Sequence, residues 1–130
     1  MLVVDASAVV DLLLRTPRGE RVAARLADDP EVVAPELVYV EVLSAVHRLV
    51  RAGILRGAEA TQIVAELTVM PMRLWSHQTL LAGAWELRDR VRISDAFYVA
   101  CAQALGLPLL TTDGRLARAP LPGTTVTLVQ

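Results

Sequence analysis

Four carboxylates, Asp5, Glu41, Asp95 and Asp113, stand where acids can do chemistry rather than merely solvate a surface. Asp5 ends the apolar run Leu2 to Val4, and Asp113 lies two residues past another, Leu109 to Thr111. Asp95 opens a segment leading directly into that second run. Glu41 sits in a helical stretch, at the border between an apolar arc (Val38, Val42, Ala45, Leu49) and a polar one (Ser44, Arg48). With no lysine or histidine among them, the four are poor nucleophile machinery but a good oxygen cage for a hard divalent cation, Mg²⁺ or Mn²⁺. Clustered carboxylates repel one another and favour protonation, a preference that a bound cation reverses.

Each acid also has a structural explanation when taken singly. Asp5 suits the N-cap of a following helix. Asp95, beside Ser94, suits the positive end of a helix dipole. Asp113 before Gly114 is a common turn pair, and Glu41 fits a solvated helix face. The catalytic reading rests on the four together, since separate explanations would have to coincide at one edge of one sheet.

The elements that must position them follow from the apolar pattern. Leu2 to Val4 reads as a strand, Ala6 to Leu14 and Arg18 to Ala27 as helices, and Val32 to Ala34 as a second buried strand. Pro35 suits the first turn of a helix from Glu36 to Arg51, which Gly53 ends. Ala58 to Val69 is helical and stopped by Pro71; Met72 to Trp75 is a third short strand. Ser76 caps a helix running to Arg88, Arg90 and Arg92, where cations suit the C-terminal dipole. Ser94 starts the next, with Phe97, Ala100, Cys101, Ala104 and Leu105 on one face, and Gly106 closes it. Leu107 to Thr111 is a buried strand, Arg115 to Ala119 a short segment, and Thr124 to Val129 an edge strand. Short strands, apolar on both faces and separated by helices, indicate a parallel sheet covered on each side, a three-layer α/β domain spanning residues 1–130. In such sheets ligands bind beyond the carboxyl ends of the strands, where Asp5 and Asp113 fall.

Composition removes other chemistries. All 13 basic residues are arginine, so no P-loop, Schiff-base or kinase-type lysine exists, and no G-x-G-x-x-G fingerprint appears. A single cysteine, Cys101, excludes an internal disulfide and zinc-site spacing. Hydrophobic residues at 54% supply a sizeable core and rule out compositional disorder. The longest charge-free stretch, Ala96 to Thr112, is interrupted by Gln103, Gly106 and Pro108, so it is no membrane span. The opening residues carry Asp5 and Asp11 without a basic leader region, so a cytoplasmic protein is expected.

Three segments, VVDASAVVDLL, APELVYVEVLSAV and SDAFYVACAQALGLPLLTTDGRLA, in that order, resemble the PIN-domain family, specifically the VapC toxins of toxin–antitoxin pairs. The resemblance covers nearly the whole chain. It implies a three-layer α/β/α PIN-like fold with a short, mostly parallel central sheet. It also implies a metal-dependent endoribonuclease leaving a 5′-phosphate and a 3′-hydroxyl, a homodimer, and a small VapB-type antitoxin covering the groove. The family's acidic site falls on Asp5, Glu41, Asp95 and Asp113, with Ser7 and Thr111 or Thr112 as polar supports. After Asp113 the sequence Gly114-Arg115-Leu116-Ala117 offers no further acid. Asp5, Asp95 and Asp113 are expected to bind Mg²⁺ or Mn²⁺ directly or through water, while Glu41 orients the attacking water or a neighbouring ligand.

The net charge of −1 looks unsuited to RNA, but setting the four acids aside leaves ten against 13 arginines. Arg88, Arg90, Arg92, Arg115 and Arg118 flank Asp95 and Asp113 and are the RNA-contact candidates, weighed against a solvated helix end. His47 and His77 lack ligand spacing and are assigned to surface or packing. Trp75, Trp85, Met70 and Met72 are assigned mainly to the core, with an antitoxin groove or dimer face as the alternative. A haloacid-dehalogenase-type site would need an aspartate where Ser7 stands, and a receiver domain would need a lysine. The remaining rival is a catalytically inactive PIN-like RNA- or protein-binding module.

Overall fold

The computed structural model describes all residues from 1 to 130. Strand β1 (Leu2–Val4) leads into helices α1 (Ala6–Leu14) and α2 (Pro17–Ala27), then strand β2 (Val32–Pro35). Helices α3 (Leu37–Arg51) and α4 (Gly57–Val69) precede strand β3 (Arg73–Trp75). Helices α5 (His77–Glu86) and α6 (Ile93–Leu105), strand β4 (Leu109–Thr111), the short α7 (Gly114–Ala117) and strand β5 (Val126–Leu128) complete the chain.

The five strands form one sheet in the order β3-β2-β1-β4-β5, and every neighbouring pair is parallel. Val3 sits opposite Val33 on one side and Leu109 on the other, which makes β1 the centre. All three β1 residues and all of β4 are buried, as strands covered on both faces require. The chain steps outward from β1 to β3, then returns across β2 and β1 to begin β4. Right-handed crossovers in opposite directions put α1–α4 on one face and α5–α6 on the other. Accordingly, α6 packs on β1, β2 and β4 with α5 behind it, while α1 packs on α2, α3 and α4. The strand order reverses between β1 and β4, so their carboxyl ends define the crevice where such sheets bind ligands.

Several boundaries differ from the sequence reading. Pro35 is the last residue of β2, paired with Trp75, and does not begin a helix. α6 starts at Ile93 with Arg92 as its N-cap, so Ser94 lies inside the first turn. α5 ends at Glu86, and Arg88, Arg90 and Arg92 fall beyond it; Arg88 still serves the helix end, donating to the Trp85 carbonyl at 2.9 Å, while Arg90 and Arg92 lie farther along the connection to α6. Strand β3 is an exposed edge rather than a doubly covered strand, with Arg73 and Leu74 facing outward. β4 begins at Leu109 and β5 spans only Val126–Leu128 at the opposite edge.

One glycine is fixed by packing. Gly19, near the start of α2, abuts α1 so closely that a Cβ there would lie 1.9 Å from the Asp11 carbonyl oxygen. Thr16 caps α2 by accepting the Gly19 N–H at 2.8 Å, and its own hydroxyl donates to Asp11. The α1–α2 corner is thereby held tight, directly beneath the crevice.

Candidate active site

Asp5 leaves β1 in extended geometry and serves as the N-cap of α1, accepting the Ala8 N–H at 3.0 Å. Its capping role is real, but it uses only part of the carboxylate. Ser7 donates to Oδ1 at 2.7 Å, and the Thr111 hydroxyl donates to Oδ2. Only 4% of Asp5 is exposed. Burial pushes its carboxyl up to about 6; the Thr111, Ser7 and Ala8 hydrogen bonds oppose that, and the nearby charge of Asp95 adds to it.

The same hydroxyls fix the end of β4. Ser7 Oγ accepts the Thr112 N–H at 3.1 Å, and Thr111 Oγ1 accepts the Asp113 N–H at 2.9 Å. Thr112 Oγ1 donates to Asp11 at 2.7 Å, and Arg18 Nε pairs with the same Asp11 oxygen at 2.9 Å. All three polar supports named from the sequence therefore belong to one network joining β1, α1 and β4.

Asp113 caps α7, accepting the Arg115 N–H at 2.9 Å. Its carboxylate is also paired with the Arg115 guanidinium, Nη2 to Oδ2 at 3.1 Å. Partial burial works to raise Asp113, but the Arg115 guanidinium and N–H outweigh it and hold the carboxyl below its ordinary value. Asp95, in the first turn of α6, is paired with Arg92 Nε at 3.1 Å. Glu41 is half-buried on α3, at the rim its helical position implied.

Two depressions divide these groups, apart from the buried Asp5 and Thr111, which line neither. A cleft of about 700 Å³ is lined by Ser7, Asp11, Arg18, Glu41, Arg48, Thr112, Asp113 and Arg115. A second groove of about 490 Å³ holds Asp95 among Arg88, Arg90, Arg92 and Arg115. Arg115 lines both. Arg118 lines neither: its guanidinium lies over Gly114. Arg88 is partly engaged already, its guanidinium 4.5 Å above the Trp85 ring.

The donor set is all oxygen, four carboxylates beside the Ser7, Thr111 and Thr112 hydroxyls, and in type it fits a hard divalent cation. No three histidine, cysteine, aspartate or glutamate side chains stand together as a ready-made ligand set. Asp95 and Asp113 are directed to Arg92 and Arg115 instead, so ligation by all the acids requires those two to turn.

Three groups escaped the sequence reading, although helical spacing carried a signal for each. Asp11 is four residues past Ser7 on α1, and Arg48 seven past Glu41 on α3, so each shares its predecessor's face. Tyr98 is three past Asp95 on α6. Its hydroxyl is buried with no formed hydrogen bond. Burial, then the neighbouring Glu41 and Asp5 charges, hold its proton on. The histidine assignment stands for His77, whose Nε2 accepts the Leu37 N–H at 2.8 Å. Trp85 departs from its core assignment, being 61% exposed, because α5 is covered by α6 on one side only.

A parallel sheet with helices on both faces and an acidic crevice at its strand-order reversal defines the class. The chain belongs to the PIN domain family, whose pattern matches residues 2–121. It is 50% identical over 119 residues to Ribonuclease VapC3 of Mycobacterium tuberculosis, covering 91% of this chain and 86% of that one. It is 40% identical over 118 residues to Ribonuclease VapC12 of the same organism, covering 91% of each. A toxin–antitoxin complex from Klebsiella pneumoniae contains a chain of the same fold, with TM-score 0.73 at 16% identity, covering 100% of this chain and 98% of that one.

Proposed function

We propose that this protein is the toxin of a type II toxin–antitoxin pair, a Mg²⁺- or Mn²⁺-dependent endoribonuclease formed by one PIN domain over residues 1–130. The observation that carries the reading is Asp5, buried at the strand-order reversal, its proton affinity raised chiefly by that burial, and held by hydroxyls of Ser7 and Thr111. An acid so placed is costly unless something rewards its charge, and a divalent cation does. Relatives 50% and 40% identical that are named VapC ribonucleases support the reaction class.

Asp5, Asp95 and Asp113 would hold the ion. Bound there, it would activate water and neutralise the non-bridging phosphate oxygens. Glu41, at the rim of the cleft, orients the attacking water. Ser7, Thr111 and Thr112 keep Asp5 and the β4 end in register. Arg115 and the arginines of the neighbouring groove supply the positive charge that phosphates need. A VapB-type antitoxin covering the cleft and a homodimeric assembly complete the proposal, and neighbours solved as toxin–antitoxin complexes support the first.

The competing reading, an inactive RNA- or protein-binding module, draws support from the ion pairs that occupy Asp95 and Asp113. Incubating antitoxin-free protein with pooled cellular RNA in Mg²⁺ or Mn²⁺, beside EDTA and Asp95→Asn controls, separates the two. Discrete cuts ending in 5′-phosphate and lost in both controls are expected. Binding of a divalent ion with no cleavage in either metal would overturn catalysis in favour of the module.

A further inference from the structure

Arg115 stands at a junction. It is the residue shared by the Glu41–Asp113 cleft and the Asp95 groove. Two of its nitrogens face the two oxygens of Asp113, Nη2 to Oδ2 at 3.1 Å and Nε to Oδ1 at 3.4 Å. Its side chain is nonetheless 66% exposed, so only Asp113 and its own α7 backbone restrain it. The carboxylate oxygens it takes are the ones a divalent ion would require, and a guanidinium is also the group best shaped for a phosphodiester.

We propose that Arg115 is an internal counter-ion that the divalent cation displaces from Asp113, and that the released guanidinium then grips the RNA backbone where the two depressions meet. The inference rests on the metal-dependent ribonuclease reading and adds a regulatory coupling to it. One arginine cannot satisfy Asp113 and a phosphate with the same face at once. Ion binding therefore frees the phosphate clamp, and RNA binding, by holding the clamp away, favours the ion. The two affinities must rise by the same factor. The arrangement also disfavours RNA capture by a protein that has not yet taken its metal.

The test compares wild type, Arg115→Gln and Arg118→Gln. The last removes a charge next to α7 without breaking an ion pair, so it controls for simple loss of repulsion. Mn²⁺ affinity is read from the electron paramagnetic resonance of the free ion. RNA affinity is read from the anisotropy of a labelled phosphorothioate RNA dodecamer, which resists hydrolysis, with and without Mn²⁺. Arg115→Gln should bind Mn²⁺ about two- to fivefold more tightly than Arg118→Gln, the range that a surface ion pair commands. The same variant should lose most of the Mn²⁺-induced gain in RNA affinity, a pair of opposite changes that a merely structural role would not produce. Equal Mn²⁺ affinity in the two variants, or an undiminished gain, overturns the displacement. If wild type cuts RNA while Arg115→Gln shows neither change, only this inference fails. If wild type binds no Mn²⁺ at all, the inference and the metal-dependent reading fail together.

Discussion

Thr111 ties Asp5 to Asp113: its hydroxyl donates to the Asp5 carboxylate and accepts the Asp113 backbone N–H at 2.9 Å. Two acids 108 positions apart in sequence are thus set by one fully buried side chain on the last residue of β4. Thr111→Val keeps the β-branched shape but leaves a buried carboxylate oxygen and an N–H without partners. A stability loss of about 1–3 kcal/mol is expected, together with weaker Mn²⁺ binding. Thr111→Ser should restore most of both. Urea denaturation and ion titration check this, and an unaffected Thr111→Val would remove the hydroxyl from the account of the site.

The Asp5 carboxyl gives a pH dependence of definite sign. Its affinity for a proton is raised from an ordinary 3.8 to about 6, chiefly by burial. Between those values the folded protein holds a proton that the unfolded chain has lost. This contribution to stability is complete below about pH 4 and disappears as pH rises through about 6. The span corresponds to about 3 kcal/mol. In EDTA, wild type should therefore lose stability relative to Asp5→Asn between pH 4 and 7, and Mn²⁺ should reverse the loss by favouring the charged form. Parallel stability curves for the two proteins across that range would show that the carboxyl titrates normally.

Gly19 tests the corner beneath the crevice. Its missing Cβ would meet backbone atoms of Asp11, the carbonyl oxygen at 1.9 Å and the carbonyl carbon at 2.6 Å, and backbone cannot swing aside as a side-chain tip can. Gly19→Ala should cost about 3 kcal/mol or more by forcing α2 from α1. Because Arg18 reaches Asp11 across the same contact, that ion pair should break too. Chemical denaturation reads the first effect. A loss under 1 kcal/mol would mean that the two helices can separate freely.

The sequence made the sheet and the acid positions legible because both follow from local pattern. Apolar runs of three to five residues, each ending in a polar residue, marked β1, β2 and β4 and put Asp5 and Asp113 at their carboxyl ends. The helical wheel put Glu41 on the rim. Pairing between distant side chains was not legible. Nothing local announces that Asp5 meets Thr111 or that Asp11 meets Thr112, 106 and 101 positions apart, whereas the Arg92–Asp95 and Asp113–Arg115 pairs, three and two positions apart, lie within local reach. Arg88, Arg90 and Arg92 had the composition of a helix end, but α5 stopped at Glu86, so that only Arg88 reaches its last turn, through the Trp85 carbonyl. Ser94 suited an N-cap, yet the chain entered α6 two residues earlier through Arg92. Strand β3 was legible only as a short strand of a sheet covered on each side, and its edge position follows from strand order, which a short apolar run does not encode, whereas the alternation of Thr124 to Val129 did mark β5 as an edge.

Arg48 carries the last expectation. It lines the cleft two helical turns beyond Glu41 and takes part in no ion pair, unlike Arg18, Arg92 and Arg115. An arginine without a carboxylate partner at the rim of an acidic cleft repels a metal weakly and attracts a polynucleotide backbone strongly. Its contact would be to phosphate, which positions RNA without reading its sequence. Arg48→Gln should therefore raise KM for RNA across different sequences alike and leave kcat near wild type, because Glu41 and the Asp5 network are untouched. The logarithm of affinity against the logarithm of salt concentration should become shallower by about 0.7, the share of one single-strand phosphate contact. Affinity titrations at several salt concentrations, paired with cleavage rates at saturating RNA, measure both quantities. A fall in kcat with unchanged KM and salt dependence would place Arg48 in the chemistry of the cleft instead of in the path of the RNA.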